Sequence, residues 1–418
     1  MWREDADRTK GETRVTDSSI APAEPRDVRA APSHPDPYPY YARLVREQPL
    51  FRDEANGCWV VTSASAVLEV LTNNDCHTRP ESGRVPTELR AGAMAELFGR
   101  LVRLRDDETH DAMKSAIVAA LRRLDFARVS EAVRGRVAEL DIELGPHLDE
   151  ARVNRFMFQL PVQVIARLIG IPDARFNDVT TWLGDYGAAT AAVVTGIPSP
   201  DAALIERGHR GARALLDLVR TLKNEPAAAG PLLSALVGEA KKAGCTDEDD
   251  VTANGVGLMI QGFASISSVI GLTLLALARR PDLRVHVEGD RTALRSLIQE
   301  VLRCDPCTNS TLRFMARDGV IAGQNMREGD VIIVMIAAAN RDPALNSDPD
   351  RFDINRLNRQ YLEFGAGAHA CPADKLAPLI AEIAVDHLLK RGAPIERLEK
   401  SVSYAASAHV RTAFFKGH

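Results

Sequence analysis

The chain has 418 residues and a formal net charge of −5, which give no global argument for binding nucleic acid or an anionic membrane. Hydrophobic residues make up 45% of the chain and aromatic residues only 5%, as expected for a soluble globular protein with an aliphatic core. The six cysteines are sparse and show no disulfide-rich pattern, so we expect a cytoplasmic protein. The charged N-terminus, MWREDADRTKGETR, lacks the apolar core of a secretory signal.

The first part of the chain predicts a tail and then short mixed elements. Residues 1–35 are polar and punctuated by prolines, which predicts a flexible N-terminal tail. A single folded domain is expected over residues 36–418. It begins with a helix-like piece, YYARLVREQPL, a strand candidate, CWVVTS, and a second helix, SAVLEVLTN. Further on, LRDDETHDAMKSAIVAALRR starts with acidic residues and continues as an amphipathic helix, the charge order expected at a helix start.

The longest apolar segment, residues 251–278, is long enough to suggest a membrane span. It also contains Asn254, Gln261 and several serines, and no second such segment follows. We therefore expect a buried central helix that ends before Pro281. A helix over 293–303 and the strand-like runs TLRFMA, GVIAG and DVIIVMI come next. The pattern predicts a mainly α fold with a small β region, an α+β architecture in one domain.

The glycine-rich stretch FGAGAHAC carries the first chemical signal, because it places Cys371 directly before Pro372 and a helical pattern. Most lone cysteines are simply small buried side chains. A nucleophile would need a base, and His369 cannot be assumed to face the thiol. Zinc would need three more ligands, and none is nearby in the sequence. An axial thiolate to haem iron needs only one cysteine and a loop that can lie close to a flat ring, so this interpretation fits best.

A second signal is the helical pair Glu300 and Arg303, whose side chains share a helix face at i and i+3. Most such pairs are solvated surface charges that contribute little to stability. Their position upstream of the cysteine stretch, with strand-like runs between the two, favours a functional reading.

Together these motifs resemble those of the cytochrome P450 family in its bacterial form, and the resemblance covers most of residues 36–418. FGAGAHAC resembles the family's cysteine loop, which implies haem b (iron protoporphyrin IX) with Cys371 as the axial ligand of the iron. The same resemblance implies that Phe364 and Gly365 contact the cofactor. ANRDP, at residues 339–343, is also typical of bacterial members.

The resemblance also assigns a structural network. Glu300 and Arg303 match the family's ExxR helix, and PDRFDINR matches the segment that supplies a third partner, Arg356. These three side chains are expected to form a buried network that holds the loop carrying the thiolate.

Four residues match positions that bind the haem propionates in the family. A propionate at a partly buried site requires cationic or hydrogen-bonding partners. The matching residues are His110, Lys114, Arg313 and His369. Lys114 is a departure from the usual arginine, because it keeps the charge but loses the planar fork.

The helix expected on the distal face of the haem departs from the family pattern. Gly262 is present, so we expect that the helix can open there, but the usual acid is Ala264 and the usual threonine is Ser265. Cleaving the O–O bond needs two protons, and alanine cannot relay them, whereas serine can hold a water. These three positions are the catalytic candidates. On the proximal side, the usual glycine two residues after the cysteine is Ala373.

The substrate pocket is expected to include the polar segment that follows the ExxR helix, together with one side chain of the distal helix. Polar groups in an apolar pocket fix the orientation of a ligand. The candidates are Phe263, Thr308, Asn309 and Thr311. The nearby pair Cys304 and Cys307 resembles a CxxC redox motif but lacks a thioredoxin-like setting, so no redox role is expected.

The resemblance implies a haem-thiolate oxidoreductase, a cytochrome P450 monooxygenase, that oxidises a small organic molecule, with specialised biosynthesis as the expected setting. Electrons would come from an external ferredoxin and ferredoxin reductase, because no flavin or NAD fingerprint appears. Nucleic acid and membrane are not expected partners. The altered distal helix leaves three readings open: a monooxygenase in which an ordered water or the substrate carries protons; peroxide-dependent or non-oxygen-activating chemistry such as rearrangement, coupling or N–O cleavage; or a non-catalytic haem-binding protein.

Overall fold

A computed structural model of the chain describes residues 23–80, 83, 85–89, 91–194 and 201–417. Fifteen helices in the described residues form most of the fold. They are α1 (Tyr38–Glu47), α2 (Ala64–Thr72), α3 (Gly92–Arg100), α4 (Thr109–Arg122), α5 (Phe126–Leu144), α6 (Glu150–Ile169), α7 (Phe176–Val194), α8 (Ala202–Asn224), α9 (Pro231–Lys242), α10 (Glu248–Ala278), α11 (Pro281–Val287), α12 (Arg291–Cys304), α13 (Ile336–Ala339), α14 (Leu376–Lys390) and α15 (Ile395–Ser401).

Nine short strands, counted over the same described ranges, form three small sheets. The largest has the order β1-β2-β7-β4-β3, in which only β2 and β7 run parallel. The strands are β1 (Leu50–Asp53), β2 (Cys58–Val61), β3 (Cys76–His77), β4 (Thr311–Met315), β5 (Gly319–Ile321), β6 (Gln324–Met326), β7 (Val331–Val334), β8 (Val402–Tyr404) and β9 (Ala413–Phe415).

The predicted fold class is confirmed, since helices dominate and the β region is small. All four strand-like runs in the sequence contain strands, namely β2, β4, β5 and β7. The remaining strands were not predicted. Two of them, β8 and β9, are three residues long and pair only with each other, so their sequences carry too little alternation to read as strands.

Helix α10 is the central element of the fold, as its apolar sequence predicts. Its first turn carries three acidic residues, and the Asp247 side chain caps it by accepting a hydrogen bond from the Asp249 backbone N–H. The helix is long and apolar enough to cross a membrane, but its second half is buried and packs against α6, α14 and α15. Its apolar composition is therefore that of a core helix.

The N-terminal segment departs from prediction where the structure describes it. Val28 and Ala31 are buried, and the fully buried Arg411 donates hydrogen bonds to the backbone carbonyls of Pro32 and His34. A buried guanidinium needs these acceptors, which ties the segment to the C-terminal end of the chain. Residues 23–35 therefore pack as part of the domain instead of forming a flexible tail. The rest of the predicted tail, 1–22, lies outside the described residues.

Candidate functional site

A cavity of about 440 Å³ lies between α10 and the loop that carries Cys371. Elements distant in sequence meet there, because α4, α6, α9, α10 and the start of α14 all contribute to the wall. The residues predicted from sequence that line it are His110, Lys114, Gly262, Ala264, Ser265, Thr308, Phe364, His369 and Cys371. The structure thus brings together most of the predicted site.

The cysteine loop owes its shape to two glycines. Gly365 and Gly367 both have φ of +67°, a conformation that side chains with a Cβ rarely adopt. At Gly367 the space is also closed, since a Cβ would lie 2.4 Å from the Leu71 carbonyl oxygen at the end of α2. The loop is fastened by the Cys371 backbone N–H, which donates to the Phe364 carbonyl at 2.6 Å. This geometry presents Cys371 at the cavity wall.

The Cys371 side chain is exposed at the cavity. Burial raises the pKa of its thiol, while the Ala373 backbone N–H and the Lys114 ammonium act in the opposite direction. Helix α14 begins at Leu376, so a turn separates the cysteine from the helix N-terminus. The nearby N–H and ammonium favour the thiolate, the form that ligates metals.

Two histidines face each other beside the cavity, with ring centroids 4.5 Å apart. His369 Nε2 lies 2.8 Å from an Asp106 carboxylate oxygen, and His110 Nδ1 lies 2.9 Å from Asp111. The remaining nitrogens, His110 Nε2 and His369 Nδ1, are buried and have no hydrogen-bond partner among the described residues. Such groups require a partner, so the pair fits a ligand that offers hydrogen-bonding oxygens.

Asp106 holds His369 from the side away from the cavity. Burial alone would raise the pKa of Asp106, but hydrogen bonds from His369 and Thr78 outweigh it and hold this pKa well below its usual range. Burial lowers the pKa of His369, and Asp106 opposes that effect. The carboxylate therefore fixes the orientation of the ring.

The two cations predicted beside these histidines are placed differently. Lys114 lines the cavity and its ammonium donates to the Ala370 carbonyl oxygen. Arg313 is buried but is not on the described cavity wall, and its guanidinium donates to the Leu312 carbonyl at 2.8 Å and to the Thr311 hydroxyl at 3.3 Å. Burial lowers the pKa of both cations. Lys114 is therefore the closer candidate for an anion in the cavity.

The distal wall is an unbroken stretch of α10. Gly262 is the point of closest packing, because a Cβ there would lie 2.1 Å from Ile165 Cδ1 on α6. The helix runs without a break past Gly262. The tight contact with α6 explains the glycine without any opening of the helix.

Among the serines of this stretch, Ser265 is the one that faces the cavity. The Ser267 and Ser268 hydroxyls donate to the carbonyls of the preceding turn at 2.6 and 2.7 Å. The Ser265 hydroxyl makes no hydrogen bond to any part of the chain that the structure describes. Ala264, also on the wall, has no polar group. The only hydroxyl that this stretch offers to a ligand is therefore that of Ser265.

Only one of the four predicted pocket residues, Thr308, lines the cavity. Phe263 packs against Phe158 of α6 with ring centroids 6.2 Å apart. Asn309 is fully buried, accepts a hydrogen bond from the Tyr41 hydroxyl at 2.7 Å and donates to the Pro306 carbonyl. The prediction is therefore wrong for Asn309, because its amide is occupied by contacts within the fold.

Thr311 also lies off the cavity wall. Its hydroxyl accepts the hydrogen bond from Arg313, and its backbone pairs with Val334 in the central sheet. The residue is therefore part of β4, and the prediction that it lines the pocket is wrong as well.

A buried acid at the cavity wall was missed by the sequence reasoning. Glu363 accepts hydrogen bonds from the Cys307 thiol at 2.7 Å and from the Thr308 backbone N–H and hydroxyl. Burial raises the pKa of Glu363 to about 7, against the effect of these bonds. The sequence signal that could have revealed Glu363 is its position directly before the glycine-rich stretch, because an acid is unexpected next to apolar neighbours.

The predicted network around Glu300 forms a buried ion cluster. Glu300 and Arg303 are fully buried and joined by two hydrogen bonds of 2.8 and 3.1 Å. Arg356 Nε lies 3.5 Å from Glu300, whereas Arg359, which was not predicted, donates to it at 2.8 Å. Arg303 also donates to the Pro349 carbonyl at 2.7 Å. The cluster therefore ties α12 to the segment that leads into the cysteine loop.

The two cysteines of the CxxC pair make different contacts. Cys304 and Cys307 are both free and buried. The Cys304 thiol lies against Arg303 and Glu300, while the Cys307 thiol donates to Glu363. The two thiols thus belong to separate clusters.

Comparison with known proteins places this chain among similar sequences. The profile of the family described as "Cytochrome P450" matches residues 220–391. The 6-deoxyerythronolide B hydroxylase of Saccharopolyspora erythraea is 27% identical over 379 residues, which cover 87% of this chain and 91% of that protein. The mycinamicin IV hydroxylase/epoxidase of Micromonospora griseorubida is 28% identical over 360 residues, covering 83% and 84%.

Solved structures agree in fold. The crystal structure of CalO2 matches with a TM-score of 0.77 at 24% identity, and the match covers 93% of this chain and 98% of that one. The arrangement of helices and sheets therefore follows an architecture already seen by crystallography.

Proposed function

We propose that this chain is a haem-thiolate monooxygenase of the cytochrome P450 family, and that it oxidises a small organic molecule in specialised biosynthesis by means of a non-standard proton relay. The observation that carries the proposal is the Cys371 side chain exposed at the wall of a deep cavity opposite α10. Relatives named for hydroxylating 6-deoxyerythronolide B and mycinamicin IV support a natural product as the substrate class.

The cavity residues fit haem b. Cys371 would ligate the iron, and the two buried histidine nitrogens without partners would face the propionates and donate to them when the rings are protonated, assisted by Lys114. Phe364 and Gly365 would contact the ring from the cysteine loop. Arg313 would contribute mainly through its charge, because its guanidinium does not reach the cavity wall. Bound through a thiolate, haem supplies the activation of dioxygen or peroxide.

The distal wall determines how protons reach the reacting oxygen. Ala264 has no proton to give, and the Ser265 hydroxyl has no partner in the described fold. Ser265 would hold an ordered water or a hydroxyl of the substrate in place and pass a proton through it. The absence of an acid at position 264 also favours a second candidate, peroxide-dependent or non-oxygen-activating chemistry, which needs fewer protons from the protein.

Several further features complete the proposal. Residues from 36 onwards would act as one catalytic domain, with 23–35 packed onto it. Glu300, Arg303 and Arg356 would stabilise the segment before the cysteine loop. Electrons would come from an external ferredoxin and its reductase, and the chain would act in the cytoplasm, a proposal supported by its six free cysteines in the described residues.

The test is turnover of candidate substrates under two regimes. The purified protein is supplied with isotopically labelled dioxygen, a ferredoxin, its reductase and NADPH, or with hydrogen peroxide alone. Label in the product under the first regime supports the monooxygenase. Product formed only with peroxide supports the second candidate. A haem-containing protein that yields no product from a broad natural-product library under either regime would contradict both.

A further inference from the structure

The short 3-10 turn Val102–Leu104 carries a guanidinium that faces the cavity without a counter-ion. Arg103 lines the cavity and makes no hydrogen bond or ion pair with the residues that the structure describes. Its sequence neighbours behave differently: Arg100 pairs with Asp250 at 2.7 Å, and Arg105 pairs with the other oxygen of Asp250 at 2.9 Å. Of three arginines within six residues, two share one carboxylate and the third points into the cavity.

The turn is held in place by α10. The Val102 backbone N–H donates to the Asn254 side chain at 2.9 Å, and the same amide donates to the Arg100 carbonyl at 2.9 Å. Asn254 is buried, so both contacts are shielded from water. The position of Arg103 is therefore fixed by the fold and is not a consequence of a loose loop.

Arg103 is left without a counter-ion at the cavity wall. The residue is exposed there, and burial together with the charge of Arg103 lowers the pKa of the nearby Arg79. The single carboxyl on the cavity wall within the described residues, Glu363, is already bonded to Cys307 and Thr308. A ligand that fills the cavity would displace the water around this cation, so binding favours a ligand that supplies an anion.

The rest of the wall restricts the kind of molecule that could carry this anion. Apolar side chains from four helices line most of the cavity: Ile117, Leu121, Ile165, Leu232, Leu258 and Ile266. A ligand that satisfies both features has an apolar skeleton and one acidic end.

We propose that Arg103 is an anion subsite that binds the carboxylate of an otherwise apolar substrate and thereby orients its skeleton in the cavity. This inference rests on the proposed function, since it names the class of molecule that the haem site would oxidise. A carboxylate matches the planar guanidinium with two parallel hydrogen bonds. The same chemistry exists in the haem propionates, and the experiment separates these two sources.

The test measures binding with matched pairs of ligands. Octanoate, dodecanoate and phenylalkanoates are compared with their methyl esters by calorimetry and by ligand-induced thermal shift of the holoprotein. We expect at least one acid to bind about 10- to 100-fold more tightly than its ester, and Arg103→Met to remove that preference. Arg103→Lys should restore part of it. Equal binding of acids and esters, no binding of any acid, or an unchanged preference in R103M would overturn the proposal.

Two further readouts separate the subsite from a structural role or from haem binding. Without ligand, R103M should melt at the same or a higher temperature than the wild type, because it removes an unpaired charge, whereas the control Arg105→Met should melt lower because it leaves Asp250 and Asp107 short of a partner. Haem content should be unchanged in R103M. A loss of haem comparable to that of His110→Ala would assign Arg103 to a propionate and overturn the proposal, without affecting the proposed function.

Discussion

The two sides of the cavity differ in how completely the polypeptide satisfies its own polar groups. Behind the cysteine loop, Glu300 is surrounded by Arg303, Arg356 and Arg359, and nearly every group has a partner. On the opposite side, Arg103 and the hydroxyl of Ser265 face the cavity with no partner among the described residues. Both regions contain charged or polar groups, so the presence of such groups does not by itself distinguish them.

The difference indicates which groups hold the fold and which await a ligand. A buried polar group is stable only when it is bonded, so a satisfied cluster stabilises the polypeptide by itself. Groups left without partners in a well-packed fold are stabilised only when another molecule occupies the cavity. Substitutions on the satisfied side should therefore reduce the stability of the protein, whereas those on the open side should change ligand binding and turnover.

The largest effect is expected at the centre of the satisfied cluster. Glu300→Gln leaves Arg303 buried without its counter-ion and should lower the free energy of unfolding by roughly 3–5 kcal/mol. Denaturant unfolding measures this loss. The control is Glu206→Gln, which breaks an exposed pair with Arg210 and should change stability by less than about 0.5 kcal/mol. Similar small effects for both variants would contradict the claim that the cluster around Glu300 stabilises the fold.

The buried acid at the junction of the two sides should make stability depend on pH. The pKa of Glu363 is raised from 4.5 to about 7, so the folded protein holds this proton more tightly than the unfolded chain. Ionisation of Glu363 has no effect on stability below about pH 4.5, where both the folded and the unfolded chain are protonated. The free energy of unfolding falls as the pH rises through 7, by roughly 3 kcal/mol at most.

The measurement is the difference in unfolding free energy between wild type and Glu363→Gln from pH 4 to pH 8.5. As the pH rises, the wild type should lose stability relative to Glu363→Gln, because the glutamine does not ionise. A difference that stays constant across this range, or moves in favour of the wild type, would contradict the assignment.

The two glycines of the cysteine loop provide a smaller, internal comparison. Within the polypeptide, Gly365→Ala meets only the conformational penalty of a positive φ, about 1–2 kcal/mol, because no polypeptide atom outside its chain neighbours lies closer than 3.9 Å to the added methyl. Gly367→Ala meets the same penalty and also contacts the Leu71 carbonyl at 2.4 Å, so it should cost more and lower haem retention. Thermal melts and haem content of the two variants test this order, and equal losses would show that the contact with α2 does not shape the loop.

The smallest changes in stability, with clear changes in activity, are expected at the distal wall. Ser265→Ala removes the only hydroxyl that α10 offers there and should reduce dioxygen-dependent turnover about tenfold or more while leaving peroxide-dependent turnover nearly unchanged. Ser267→Ala is the control, since that hydroxyl is bonded within the helix. Ala264→Asp restores an acid and should increase the fraction of electrons from NADPH that is used to form product.

Measuring product per NADPH consumed checks these expectations. If S265A and S267A behave alike, the proposed relay through Ser265 is wrong. Unfolding curves of the same variants should remain close to that of the wild type, because Ser265 makes no contact that the described fold depends on.

Local sequence patterns predicted helices, strands and the cysteine loop, but not which side chains contact one another. Sequence patterns that span only a few residues were sufficient to recognise three elements. Glycine spacing identified the cysteine loop, and helical periodicity identified the helix with Glu300 and the central helix. Asn309 was misassigned because its polarity indicated a pocket, whereas the tertiary structure uses the amide to bind Tyr41. A local sequence cannot show which distant group will take a given donor.

The arginines before α4 illustrate the same limit. The local sequence does not distinguish Arg100, Arg103 and Arg105 from one another. Only the fold shows that Asp250 pairs with Arg100 and Arg105. Arg359 was likewise missed, because the predicted partner Arg356 lies three positions earlier in the same polar segment. Partner choice depends on the packing of segments far apart in the chain, and only the structure supplies it.

The most direct test of the account is the absorption spectrum of the reduced, carbon monoxide-bound protein for the wild type, Cys371→Ser and Cys245→Ser. Cys245 is a free cysteine in the loop before α10 and does not line the cavity, so it provides a matched control. We predict the red-shifted Soret band of thiolate-ligated haem in the wild type and C245S, and its loss in C371S. The same band in all three proteins, or in none of them with haem bound, would contradict the assignment of Cys371 as the ligand of the iron.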